Sequence, residues 1–112
     1  MVRTAERVAV VALSWIVPEK AGARPRVTHR LESLRTILST GSPLLPESFD
    51  YVYRDVKERL CLASISGGTD IISCFALGNP ILPVFRGELQ CRGLGMKVEI
   101  LNDDGDPVVD ET

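Results

Sequence analysis

At 112 residues and 12.3 kDa the chain has room for one domain at most. Hydrophobic residues make up 45% and charged residues 25%, an ordinary globular balance that excludes wholesale disorder. Lys and Arg number 13 against 15 Asp and Glu, for a net charge of -2 and a pI ≈ 5.4, which argues against a phosphate-backbone binder and so against nucleic acid.

The first element is the apolar run from Val8 to Val17, preceded by Arg3 and Arg7. Ala21-Gly22-Ala23 imitates the small-residue cleavage site of a secretory signal. Glu6 interrupts the basic lead, however, and Glu19 and Lys20 stand just before that site, which favours a packed helix or strand ended by Pro18. The run is far too short for a membrane span, which takes about 20 apolar residues. Ala21 to Arg30 reads as a polar connector broken by Gly22 and Pro25.

Leu34 to Ser39 is a candidate buried strand that stops at the turn chemistry of Thr40-Gly41-Ser42-Pro43. Pro46 then opens the clearest helix, over about 46–60, because its fixed φ suits the first helical position. Phe49, Val52, Tyr53, Val56 and Leu60 form one apolar stripe at helical spacing. Asp50 with Arg54 and Asp55 with Arg59 fall at i,i+4 on the other side, where they read as a solvated face. Leu60 to Ile65 reads as a second strand, running into the glycine turn of Ser66-Gly67-Gly68-Thr69-Asp70. This alternation predicts an α/β fold: a partial, mostly parallel sheet with a crossover helix. A β-rich C-terminal segment follows, with strands over Val84–Cys91 and Met96–Leu101, a turn at Asp103-Asp104-Gly105, and antiparallel pairing.

Cys61, Cys74 and Cys91 stand 13 and 17 apart, and His29 is the one histidine. That pattern excludes a recognisable zinc site and reads as free thiols buried in a reducing cytosol, hence a cytoplasmic protein.

The two glycine turns fall at the C-terminal ends of consecutive predicted strands, where open α/β sheets bind ligands. Both are rich in hydroxyls: Ser39, Thr40 and Ser42 in the first, Ser64, Ser66 and Thr69 in the second. Glycine lets a ligand approach the backbone, whose N–H groups can cradle an anion. Thr69 can donate to a phosphate oxygen, and Asp70 suits Mg²⁺, which prefers oxygen ligands. The same residues serve equally as a plain strand-to-helix turn with Thr69 or Asp70 as N-cap. No Walker loop and no nucleophile elbow occurs. Gly93-Leu94-Gly95 lacks the third glycine of a dinucleotide fingerprint, since Val98 stands there, and reads as a β-turn.

At these residues the sequence resembles the adenylate-forming acyl-CoA synthetases, and within them the acetoacetyl-CoA branch. Leu34 through Leu44 is similar to the family's strand and G-x-P-L turn, and Ser64 through Ile72 to its second nucleotide loop, usually aromatic-Gly-x-Thr-Glu. Leu82 through Gln90 and Gly93 through Met96 resemble the same branch. The likeness runs from Glu19 to Val108, leaving 1–18 unassigned and making 19–112 a partial AMP-binding domain. The resemblance implies ATP, Mg²⁺ and CoA as cofactors, with a short acyl acid such as acetoacetate as the substrate. It implies that Gly41, Ser42 and Pro43 line the adenine pocket with Ser66 at the adenine-stacking position, that Gly67 and Gly68 bring backbone close, and that Thr69 touches phosphates while Asp70 holds Mg²⁺. Thr69 and Asp70 are thus the expected catalytic pair. Ser66 stands where the family usually carries an aromatic, and Asp70 replaces the usual Glu. The resemblance also implies that the chain begins after the family's phosphate loop and ends before the ribose-binding Asp, the hinge and the catalytic Lys. By itself it is then expected to make no thioester. The alternative is a non-catalytic nucleotide-binding or protein-interaction module, using an exposed sheet edge.

Overall fold

The structure, a computed structural model, describes residues 8–11 and 16–108. Two small sheets make up the fold. In the first, β1 (Val8–Val11), β2 (Thr36–Ser39) and β3 (Cys61–Ser64) run parallel in that order, with Val10 opposite Leu38 and Leu38 opposite Ala63. The apolar N-terminal run therefore supplies a strand. Pro18 does not end an element: it lies inside α1 (Ile16–Lys20), in the first turn, where a missing N–H breaks no intrahelical bond. The stretch that imitates a cleavage site closes that helix instead. Ala23 N–H donates to the Pro18 carbonyl (3.0 Å), and Gly22 sits at φ +68, the left-handed cap that glycine supplies.

Helix α2 (Pro25–Thr28) occupies the region read as a polar connector and packs on the 52–56 continuation of the crossover helix α3 (Pro46–Tyr51), while α1 packs on α3 itself. Pro46 is in the first turn of α3 as expected, behind Leu45 in extended backbone. The helix then widens into a π-turn over Val52–Val56, closed by Lys57 N–H donating to the Val52 carbonyl (2.9 Å), and it stops there rather than at 60. Lys57 itself turns extended and its ammonium donates to the carbonyls of Leu31 (2.6 Å), Leu34 (2.8 Å) and Glu32 (3.0 Å). Those bonds stitch the helix end to the chain entering β2.

The core is Ile37, Leu62 and Ala63 from the sheet against Phe49, Tyr51, Val52 and Val56 from the helix. Tyr53 and Leu60, the rest of the stripe, pack half-buried against it. The reading of Asp55 as solvent-facing is corrected. Asp55 is buried and pairs with Arg24 Nε (3.1 Å) and Arg54 Nε (2.7 Å), while Asp50 pairs with Arg86. The cause is the 21–30 segment, which covers the flank of the helix. Tyr51 Oη donates to the Ala23 carbonyl (2.8 Å) and Arg26 Nη1 to that of Arg54 (2.6 Å).

The second sheet is antiparallel: β4 (Ser66–Gly68), β5 (Ser73–Leu77) and β6 (Cys91–Arg92). Its existence matches the expectation of a β-rich antiparallel end, but its strands differ. Ser66–Gly68, read as a turn, is a strand because its backbone pairs with β5, which had no place in the sequence reading. The expected strand over Val84–Cys91 is irregular chain with one turn at Arg86–Gly87 and becomes sheet only at Cys91, since Gly87 takes φ +82 and breaks the extended path. Met96–Leu101 finds no pairing strand among the described residues beyond one bridge, Leu101 with Pro107. The turn at 103–105 is present, built on Asn102, whose Oδ1 accepts from Asp104 N–H (3.0 Å) and Asp106 N–H (2.9 Å). The Gly93–Gly95 turn is also as read, closed by Met96 N–H on the Gly93 carbonyl (3.1 Å). Tight crossings hold this half together. A Cβ on Gly93 would come 2.2 Å from the Cys74 carbonyl oxygen, and one on Gly78 would come 2.3 Å from Ala63 Cβ.

Candidate functional site

Because β2 and β3 are parallel neighbours, the two glycine-bearing loops leave the sheet side by side. Ile65 N–H donates to the Ser39 carbonyl (2.9 Å), continuing the ladder past the last paired residues and fixing the second loop against the first. Between them opens a cleft of about 490 Å³, lined by Thr40 to Leu44 on one side and Ser64 to Gly67 on the other. Gly41 makes its turn at φ +88, a region that costs a residue with a side chain.

Five of the residues singled out in the sequence, Gly41, Ser42, Pro43, Ser66 and Gly67, therefore line one cleft. Gly68, Thr69 and Asp70 do not. Gly68 ends β4, and Thr69 and Asp70 lie exposed on the turn that joins β4 to β5. No helix follows them, so the N-cap reading is corrected: the turn is closed by Ile72 N–H on the Thr69 carbonyl (3.3 Å) and leads to a strand. Ile72 holds φ +49, an uncommon and strained setting for a β-branched residue. Gly67 is required by packing, since a Cβ there would lie 2.5 Å from the Ser73 carbonyl oxygen.

A third wall was missed: Gly87, Glu88 and Leu89. The sequence reading drew a strand through them, and the signal that could have found them is Gly87 itself. At φ +82 its α-carbon lies against α3, where an added Cβ would be 3.2 Å from Pro46 Cγ. The Phe85 carbonyl accepts from Glu88 N–H (3.2 Å), and Arg86 grips Asp50 on the helix. Gln90 holds the next stretch. Its Nε2 donates to the carbonyls of Asn79 (3.1 Å), Leu82 (3.1 Å) and Pro83 (3.3 Å), while its Oε1 accepts from Asn79 N–H (3.1 Å).

Electrostatically the cleft is simple. Among the described residues its lining is hydroxyls, backbone and apolar side chains, with Glu88 as the one ionisable side chain. Elsewhere, burial pushes the Cys61 thiol up, which keeps it neutral and a poor nucleophile. Burial also raises the Tyr53 phenol. Burial alone would raise Asp55, but the hydrogen bonds and charges of Arg54 and Arg24 outweigh it and hold the carboxyl below its ordinary range. All three cysteines are free and half-buried. A larger hollow of about 680 Å³ lies between Arg26–Glu32 and Val56–Arg59. It lies on the side of the segments that enter β2 and β3, away from the C-terminal strand ends, and two of its cations, Arg26 and Lys57, are spent on backbone carbonyls. Among the described residues no three His, Cys, Asp or Glu side chains converge as a metal cage, and no helix is long and apolar enough to cross a membrane.

No family model matches the chain. Over 89 residues, 80% of its length, it is 60% identical to the acetoacetyl-coenzyme A synthetase of Rhizobium meliloti (strain 1021), and over 99 residues, 88% of its length, 54% identical to the acetoacetyl-CoA synthetase of Gallus gallus. The chain is homologous to the acetoacetyl-CoA synthetases. A solved acetoacetyl-CoA synthetase from Streptomyces lividans superposes on 97% of the chain with a TM-score of 0.77 and 38% identity. The small α/β architecture, parallel sheet followed by antiparallel sheet, is thus that of part of an acetoacetyl-CoA synthetase. The chain spans only 14% and 15% of the two curated relatives and 18% of the solved chain.

Proposed function

We propose that the chain forms one side of the nucleotide site of an ATP-dependent acid–thiol ligase acting on acetoacetate or a similar short acyl acid. In such a ligase the acid's carboxylate attacks the α-phosphorus of ATP, giving acyl-adenylate and pyrophosphate. The thiol of CoA then attacks the acyl carbon, AMP leaves, and the thioester remains. Positioning and charge stabilisation are the protein's share of that work.

The observation that carries this reading is the convergence of the 40–44 and 64–67 loops in one cleft at the strand ends of a chain homologous to acetoacetyl-CoA synthetases. Gly41, Ser42 and Pro43 lie against adenine, and Ser66, Gly67 and Gly68 carry the chain past the base toward the phosphates. Thr69 then donates its hydroxyl to a phosphate oxygen. Asp70 is exposed and supplies one carboxylate toward Mg²⁺, an ion commonly held by one or two carboxylates together with substrate phosphates. The donor set fits that mode and no all-protein cage. Mg²⁺, when bound, offsets the charge of the phosphates. Residues 19–112 belong on this reading to an AMP-binding domain, with β1 an added strand of the same sheet, in a cytoplasmic protein whose partners are small molecules. The chain by itself makes no thioester.

The test is an exchange. The 89 matched residues of the Rhizobium enzyme are replaced by those of this chain, and AMP release with acetoacetate, CoA and Mg-ATP is followed. The exchanged enzyme is expected to turn over and its Asp70→Ala form to lose at least about a hundredfold, the size of loss that follows removal of a transition-state charge contact. Full activity with Asp70→Ala would sink the assignment. A non-catalytic module is the second reading, favoured by the C-terminal half, where Gly93 is the one buried residue between 64 and 108 and Ile72, Ile81 and Leu94 stand 92%, 86% and 94% exposed. An exchanged enzyme that binds Mg-ATP but does not turn over would support it.

A further inference from the structure

We propose that residues 96–100 are a self-association edge, which pairs antiparallel with the same residues of a second copy of this chain, Val98 facing Val98 on the two-fold axis. This pairing does not depend on the nucleotide reading, since none of these residues lines the cleft.

The segment alternates like a strand and has one free edge. Met96, Val98 and Ile100 are separated by Lys97 and Glu99. Lys97 Nζ reaches Glu99 Oε1 at 3.2 Å, as residues two apart do when they share one face of extended chain. Just beyond, the chain folds back. Val108 N–H donates to the Ile100 carbonyl (2.7 Å) and Asn102 N–H to that of Asp106 (2.9 Å), around the bridge of Leu101 with Pro107. Residues 100 and 102 thus turn backbone groups toward the returning chain, and in an antiparallel ladder the alternate residues 97, 99 and 101 turn theirs the other way. Among the described residues, no backbone group bonds to the N–H or C=O of Lys97 or Glu99. An unpaired row of that kind is a template for another strand.

What selects a second copy is the symmetry of the charges. With Val98 on the axis, Lys97 faces Glu99 of the other copy and Glu99 faces its Lys97, so two opposite-charge pairs form on one face. The ladder bonds then fall between 97 and 99 of the two copies, on the free edge, and the two Val98 residues form the close pair without hydrogen bonds. On the other face Met96 meets Ile100 of the other copy. Ile100 is 72% exposed, and the contact covers it. Other registers are worse. A slip of one residue sets Val98 against Glu99 and mixes the two faces. A slip of two sets Lys97 against Lys97 or Glu99 against Glu99, like charges directly opposite. The contact is isologous, the usual form of a two-fold dimer, and a net charge of -2 does little to hold copies apart.

The test is sedimentation of the full chain over a wide range of concentrations, for the native protein and for charge variants at 97 and 99. The native chain is expected to pass from monomer to dimer as concentration rises. Lys97→Glu and Glu99→Lys each turn both facing pairs into like-charge pairs, and each is expected to raise the dimer dissociation constant about tenfold or more. Mixed in equal amounts, the two variants face each other with opposite charges and are expected to sediment as a heterodimer. The chain carrying both substitutions is expected to dimerise by itself. Lys97 and Glu99 are exposed, so each variant keeps the native melting curve, and circular dichroism checks this. A native chain that stays monomeric at every concentration would overturn the proposal. So would a dimer that ignores both substitutions, or single variants that do not recombine.

Discussion

Arg86 holds Asp50 at two points, with Nε 3.0 Å from both carboxylate oxygens and Nη2 2.9 Å from Oδ2, across 36 residues of sequence. The pair ties the third wall of the cleft to the crossover helix. Both side chains are about half exposed, at 54% and 52%, so solvent screens the pair and it contributes little to stability. Its larger effect is on geometry. Arg86→Ala is expected to shift the melting midpoint by only a few degrees and to weaken Mg-ATP binding several-fold, because Gly87–Leu89 loses its tether. Unchanged affinity in calorimetry would show that the wall needs no clamp.

Asp55 gives the fold an acid limit. Arg54 and Arg24 lower its pKa in the folded chain against the opposing effect of burial. A group with a depressed folded pKa stabilises the fold above its unfolded value, near 3.9 for Asp, and that contribution is lost as pH falls through the lower folded value. Asp55→Asn is therefore expected to lower the urea midpoint at pH 7, with a gap that narrows steadily below about pH 4. A gap that stays constant down to pH 3 would contradict this.

Two glycines separate packing from conformation. A Cβ at Gly93 meets the Cys74 carbonyl oxygen at 2.2 Å, whereas one at Gly68 meets nothing within 4 Å. Gly93→Ala is expected to cost about 1–3 kcal/mol, the range for forced overpacking, because a backbone atom cannot swing aside. Gly68→Ala is expected to be near neutral in the same denaturation series.

Gln90→Ala removes the carboxamide that serves Asn79, Leu82 and Pro83. Leaving half-buried backbone groups without partners costs about 1–3 kcal/mol. Hydrogen exchange at Asn79, whose N–H loses its acceptor, is expected to speed up in the variant. Protection that persists there would mean that another acceptor takes over.

The parallel half was legible because each of its signals is local. Pro46 starts a helix by its own φ, apolar runs fill β2 and β3, and Gly41 turns the chain just after β2 at φ +88. The cleft followed from that topology, since parallel neighbours place their C-terminal loops side by side. What the sequence hid depends on partners. Ser66–Gly68 carries no strand pattern and is sheet only because β5 pairs with it. Met96 to Leu101 has the alternation of a strand, with Lys97 and Glu99 between Met96, Val98 and Ile100, yet no described strand lies beside it. Asp55 was misread because helical spacing reports one apolar face and says nothing of a second segment, Ala23 to Arg26, covering the flank. Thr69 and Asp70 stand out in the sequence for the chemistry of their side chains, which says nothing of position. They lie on the β4–β5 turn beyond the cleft lining, where only the pairing of those strands could place them.

The most direct measurement is thermal unfolding of the chain with and without Mg-ATP, for the native protein and for Asp70→Ala. A ligand that binds only the folded state at a hundred times its Kd adds about 2.7 kcal/mol, a rise of several degrees or more for a domain of this size. The account predicts that rise for the native chain and a much smaller one for Asp70→Ala. A midpoint indifferent to Mg-ATP, or an equal rise in both proteins, would contradict it.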